Sequence, residues 1–119
     1  MAQGTIITAR DTKNKHTTLL DSTWAATAAN TWECTGKTFT LDDRSLVEVR
    51  LNYSNTPVYG VAVASRNDDV AFCTYMSESS TGSSKRIVCF LPAGTYYIWG
   101  KVAAASKNNG VAALKILNT

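Results

Sequence analysis

The stretch Arg86-Ile-Val-Cys-Phe-Leu-Pro-Ala-Gly-Thr-Tyr-Tyr-Ile-Trp-Gly-Lys101 decides the fold. Pro92 presets φ for a turn, Gly94 accepts a positive φ, and β-branched and aromatic residues crowd both sides. The segment therefore reads as two strands joined by a tight turn, a hairpin in an antiparallel sheet. In its second half Tyr97 and Trp99 share one face, while Tyr96 and Ile98 share the other. One of those faces belongs to the core. If Ile98 and Val102 point inward, Tyr97, Trp99 and Lys101 form a surface stripe; if Trp99 points inward, the segment is scaffold alone.

Working outward, Val47, Val49, Leu51 and Tyr53 alternate with Glu48, Arg50 and Asn52, the two-residue period of a strand with one wet face. Residues 52–57 break that pattern with Asn, Ser and Pro57, which cannot donate to a ladder. Strands follow at 58–65 and 70–76, joined by a turn at 66–69, and the three together read as a meander. A polar loop at 77–84 separates them from strands at 85–91 and 96–102, and a last strand spans 111–117 after the turn at 106–110. Shorter candidates lie at 5–9, 16–20, 31–34 and 37–41, the last two joined at Thr35-Gly36. Residues 21–30 fit a short alanine-rich helix capped by Ser22, although Thr23 and Thr27 oppose it. Roughly eight or nine short strands with regular turn signals predict a single all-β domain over 1–119, an antiparallel sandwich of jelly-roll type. Residues 1–9 are set apart as an N-terminal arm.

Composition agrees with one folded domain: 119 residues, 45% apolar, 18% charged and a net charge of +3. Cations run from Arg10 to Lys115 and are interrupted by acids, so no basic stripe tracks a phosphate backbone, and nucleic acid is not an expected partner. No segment reaches membrane-spanning length, and Met1-Ala-Gln-Gly-Thr does not resemble a secretory signal, which predicts folding in the cytoplasm. Cys34, Cys73 and Cys89 cannot all pair within one chain, and none lies in a C-x-x-C spacing. Buried free thiols are the plain reading; a Cys73–Cys89 disulfide is the alternative, those strands being expected close together.

The residues for an enzyme are sparse. His16 is the only histidine and stands without a nucleophile or ligand partner at a diagnostic spacing. No Gly-x-Ser-x-Gly elbow and no phosphate loop occurs. Asp42-Asp43 and Asp68-Asp69 sit in turns, but lack the D-x-D-x-D-G pattern that gathers calcium oxygens, so turn formation is their expected role. No catalytic residue, metal or cofactor is therefore expected. Aromatic residues remain as binding candidates, since Trp and Tyr stack on sugars and anchor protein interfaces. These are Trp24, Trp32, Tyr97 and Trp99.

The run Leu91-Pro-Ala-Gly-Thr-Tyr-Tyr-Ile-Trp resembles the late strand of bacterial pre-peptidase C-terminal domains and of several carbohydrate-binding modules. That resemblance implies a β-sandwich and, as a second functional reading, a carbohydrate- or receptor-binding module. The short, Thr/Ser/Ala/Asn-rich chain as a whole resembles small virion proteins of tailed bacteriophages, which serve as capsid decoration or auxiliary proteins, head-fibre parts or receptor-binding tips. This implies a non-enzymatic structural protein, made in the host cytoplasm and assembled into the virion. Its expected partners are copies of itself and capsid or other virion proteins, with Thr5, Ile6 and Ile7 of the arm adding to a partner's sheet edge.

Overall fold

The computed structural model describes residues 16–117, which form eight strands: β1 His16–Ala25, β2 Glu33–Leu41, β3 Ser45–Leu51, β4 Val58–Ala64, β5 Cys73–Glu78, β6 Lys85–Leu91, β7 Gly94–Val102 and β8 Asn108–Ile116. They make two antiparallel sheets, ordered β1-β8-β3-β6 and β2-β7-β4-β5. First pairs with last, second with seventh, third with sixth and fourth with fifth. This is one long hairpin, folded at its β4–β5 tip and wrapped so that successive pairs alternate between sheets, which is the jelly-roll arrangement. The expected all-β sandwich is what the chain forms.

Several local expectations are corrected. The Pro92-Ala93 turn does not make a hairpin, because β6 lies in the first sheet and β7 in the second; the turn is a corner that carries the chain across the core. The meander fails for the same reason, since β3 and β4 lie in opposite sheets and only β4 and β5 pair. Residues 21–25 continue β1 rather than starting a helix: burying Trp24 on the inner face outweighs the helix propensity of the alanines. The two strands flanking Thr35-Gly36 are one strand, β2, interrupted by a bulge where Gly36 takes φ +76° and the register to β7 shifts. The strand expected at 70–76 opens as a single 3-10 turn, Val70–Phe72, capped by the Asp69 carboxylate accepting from the Ala71 N–H at 2.9 Å. The strand expected at 5–9 lies outside the described residues.

The core between the sheets follows from alternation. Val47, Val49 and Leu51 of β3, Ile87, Cys89 and Leu91 of β6, and Val111 and Ala113 of β8 face Phe39, Leu41, Val58, Val61, Val63, Tyr96, Ile98 and Val102 of the second sheet. Each large side chain removed from water this way stabilises the fold by about 1.5–3 kcal/mol before chain entropy is counted. Gly100 also faces inward, and a Cβ there would lie 2.7 Å from both Leu51 and the Trp24 ring. Two buried polar residues hold the loops at one end. Asn109 Oδ1 accepts from the backbone N–H groups of Ser54, Asn55 and Thr56, and its Nδ2 donates to the Thr56 carbonyl. The Lys85 ammonium donates to the carbonyls of Val58, Thr81 and Ser83 and to the Ser83 hydroxyl, so its positive charge is spread over four oxygens.

Candidate functional site

The predicted aromatic residues divide between two environments. Trp24 is packed between the sheets. Tyr97 and Trp99 lie on the outer face of the second sheet, as the inward placement of Ile98 and Val102 requires, yet Trp99 is only 6% exposed. It sits on Ala62 and Ala64 and is flanked by Trp32, Cys34, Val70, Cys73 and Tyr97, while its indole N–H donates to the Arg66 carbonyl at 3.1 Å. The 65–72 connection thus folds back over the sheet and roofs a second, smaller core. Trp32 is half-buried beside it, its ring over Gly60, where a Cβ would lie 2.5 Å away. Trp99 is thus both on the outer face and buried, because the protein has two hydrophobic clusters. Thr5, Ile6 and Ile7 lie outside the described residues.

The thiols are free. Cys89 is buried between the sheets, whereas Cys34 and Cys73 are half-buried under the roof of the second sheet. The strands of Cys73 and Cys89 do touch, but Cys89 points into the core between the sheets and Cys73 packs in the cluster outside the second sheet, and the two are not bridged. The acidic turns are used locally. A hydrogen bond from Ser45, with Lys115 nearby, holds the Asp43 carboxyl below the usual carboxylate range, and a hydrogen bond from Arg66 does the same for Asp68.

The outer face of the first sheet is different in character. Strand register aligns its outward residues in rows: Ile116, Leu46 and Phe90; then Leu114, Glu48 and Val88; then Ala112, Arg50 and Arg86. Val88 is 51% and Phe90 49% exposed, and the exposed Leu117 extends the apolar end. The Arg44 guanidinium lies over the Phe90 ring at 5.0 Å, a cation–π contact. A cleft of about 180 Å³ opens here between Arg44, Leu46, Phe90 and Leu117. At the other end of the rows a cleft of about 490 Å³ is lined by Glu48, Arg50, Asn52, Ser84, Lys85 and Arg86. An edge strand with contiguous apolar side chains in water is what sandwich proteins ordinarily avoid. Its signal in the sequence was Ile87-Val-Cys-Phe-Leu91, apolar at both parities, where a strand with one wet face alternates.

A third cleft, of about 480 Å³, lies at the looped end of the second sheet between Asn30, Tyr59, Glu78, Ser79, Ser80 and Lys101. Lys101 Nζ and the Glu78 carboxylate are 3.0 Å apart across its floor. Among the described residues no group of three or more His, Cys, Asp or Glu side chains converges on a metal-sized site.

A scan against protein-family models finds no match, and a search of curated proteins finds no similar sequence.

Proposed function

We propose that this protein is a non-enzymatic structural protein of a bacteriophage particle, a decoration or auxiliary protein that docks on the capsid through the outer face of its first sheet. The observation that supports it is the apolar ladder of the half-buried Leu46 and the exposed Val88 and Phe90, flanked by Arg44, Arg50 and Arg86. Apolar residues with arginine around them are the composition of interface centres. The three outward cations fit an acidic protein surface; in a face-to-face pair of identical copies they would be set against one another, so the capsid surface is the occupant assigned. Burying Val88 and Phe90 there contributes about 1.5–3 kcal/mol each, and a standard interface of about 1,600 Å² in total would cover the face.

The test is co-sedimentation with density-banded particles from the source culture, alongside the molar mass of the free protein. Wild type is expected in the particle fraction and a Val88→Ser/Phe90→Ser variant in the supernatant, with the thermal midpoint little changed. Equal sedimentation of both would overturn the reading. Loss of a dimer instead of particle binding would reassign the face to self-association.

A second reading, a glycan-binding module, is favoured by the third cleft, where Tyr59 stands among amide, hydroxyl, carboxylate and ammonium groups suited to sugar hydroxyls. A glycan-array signal lost on Tyr59→Ala and retained in the Val88→Ser/Phe90→Ser variant would support it.

A further inference from the structure

Arg50 and Arg86 are directly opposite one another on β3 and β6, both outward. Like charges in that position destabilise a strand pair. Arg50 is partly compensated, its Nε donating to the Glu48 carboxylate. The Arg86 guanidinium has no protein partner among the described residues and is exposed to solvent. A repulsive pair on a regular strand is explained if something else sits between the two guanidinium groups.

The surroundings specify what that is. Asn52 and Ser84 lie next to the arginines in the same cleft. The Ser84 hydroxyl already accepts from the Tyr53 N–H at 2.8 Å, which leaves its own proton to give. The remaining groups are mostly donors, and the one carboxylate, Glu48, is taken by Arg50. Such a cleft suits a ligand that only accepts. Lys85 lines the same cleft, but its ammonium is turned onto four backbone and hydroxyl oxygens; on the outer wall the two guanidinium groups and Glu48 leave one net positive charge, the match for a monoanion. A phosphate or sulfate dianion would bring a second negative charge close to Glu48. Planar guanidinium forks fit a carboxylate by paired N–H···O bonds. In the next row Val88 and Leu114 flank Glu48, and Val88 with Phe90 continues the Arg86 strand as its exposed apolar side chains, so the residue adjoining that carboxylate on this strand is apolar as well.

We infer that Arg50 and Arg86 form a two-guanidinium seat for a single Asp or Glu carboxylate of the protein partner, with Val88 and Phe90 receiving the apolar residue beside it. This rests on the reading of the first sheet's outer face as the docking surface. It names the chemistry that the partner must show.

The experiment titrates the intact, isotope-labelled protein with acetyl-Glu-Leu-amide, acetyl-Gln-Leu-amide and sodium sulfate, following the arginine Nε–H and Val88 amide resonances. The glutamate peptide is expected to saturate in the millimolar range and to bind about tenfold more tightly than the glutamine peptide, as loss of one charge-assisted pair implies. Arg86→Gln should abolish that preference and, by removing the repulsion with Arg50, raise the thermal midpoint. Equal binding of the two peptides, or Arg86→Gln binding like wild type, would overturn the seat. Sulfate binding tighter than the glutamate peptide at the same resonances would also overturn it, in favour of a sulfated or phosphorylated glycan. The titration needs no particle, so the seat can fail while Val88→Ser/Phe90→Ser still abolishes sedimentation. A seat that binds glutamate in a protein that never reaches a particle would instead sink the capsid assignment alone.

Discussion

The Tyr96 hydroxyl donates a 2.7 Å hydrogen bond to the Pro92 carbonyl, tying the first inward side chain of β7 back to the corner where the chain leaves the first sheet. The same ring stacks on Phe39 at 5.6 Å, so one side chain links the turn, the neighbouring strand and the core. Gly94 between them takes φ +149°, a conformation that L side chains rarely adopt. Tyr96→Phe keeps the stack and leaves the carbonyl without its donor, an expected loss of about 1 kcal/mol. Tyr96→Ala should lose about 3–5 kcal/mol through the cavity it opens. Urea unfolding of both variants checks the ratio.

Asn109 is 1% exposed and its amide serves three N–H groups and one carbonyl of the 52–57 loop. Asn109→Ala leaves those groups unserved and is expected to cost about 2–3 kcal/mol. Hydrogen exchange should speed up at Ser54, Asn55 and Thr56 before the strands respond. Protection unchanged at those amides would show that the loop is held by something else.

Gly100 and Gly60 make an internal control for packing. A methyl at Gly100 meets Leu51 and Trp24 in the sealed core, so Gly100→Ala should destabilise by about 1–3 kcal/mol or more. At Gly60 the obstacle is the outer end of the half-buried Trp32 ring, which can swing into solvent. Gly60→Ala is therefore expected to red-shift the tryptophan emission with a smaller loss of stability, and the reverse order would contradict the assigned faces.

Burial pushes the Cys89 thiol above its ordinary 9.0; burial, and then the neighbouring Cys89, pushes the Tyr96 phenol above its ordinary 10.0. Both acids hold their protons more tightly folded than unfolded. Their contribution is whole below the unfolded values and is lost as pH rises through the folded ones. Thermal midpoints should fall from about pH 9 upward, and more shallowly between 9 and 10 in Cys89→Ala. Under native conditions alkylation is expected at Cys34 and Cys73 well before Cys89.

Much of the fold was legible because β3, β6 and β8 carry inward residues at strict two-residue spacing. What local pattern could not carry was the assignment of strands to sheets. A two-residue connection suits a hairpin, and only the global wrap makes Pro92-Ala93 a corner. Residues 21–25 were obscured by alanine, a good helix former, where the deciding fact is that Trp24 needs the space left by Gly100 far along the chain. Trp24 and Trp99 lack the exposure that a stacking platform needs, and the roof over Trp99 is made by a connection with no strand pattern of its own. Val88, Phe90 and the Arg50–Arg86 pair were overlooked because each looks ordinary within its own strand. Their meaning arises from the register of β3 against β6.

The folding back of residues 65–72 over Trp99 has a consequence for stoichiometry. By covering Ala62, Ala64 and Trp99 with its own chain, the molecule withdraws that part of the second sheet from contact, so the proposed docking through the first sheet would end where it lands. On that proposal, titration against particles is expected to reach a plateau of one copy per seat without stacking into layers, however high the concentration.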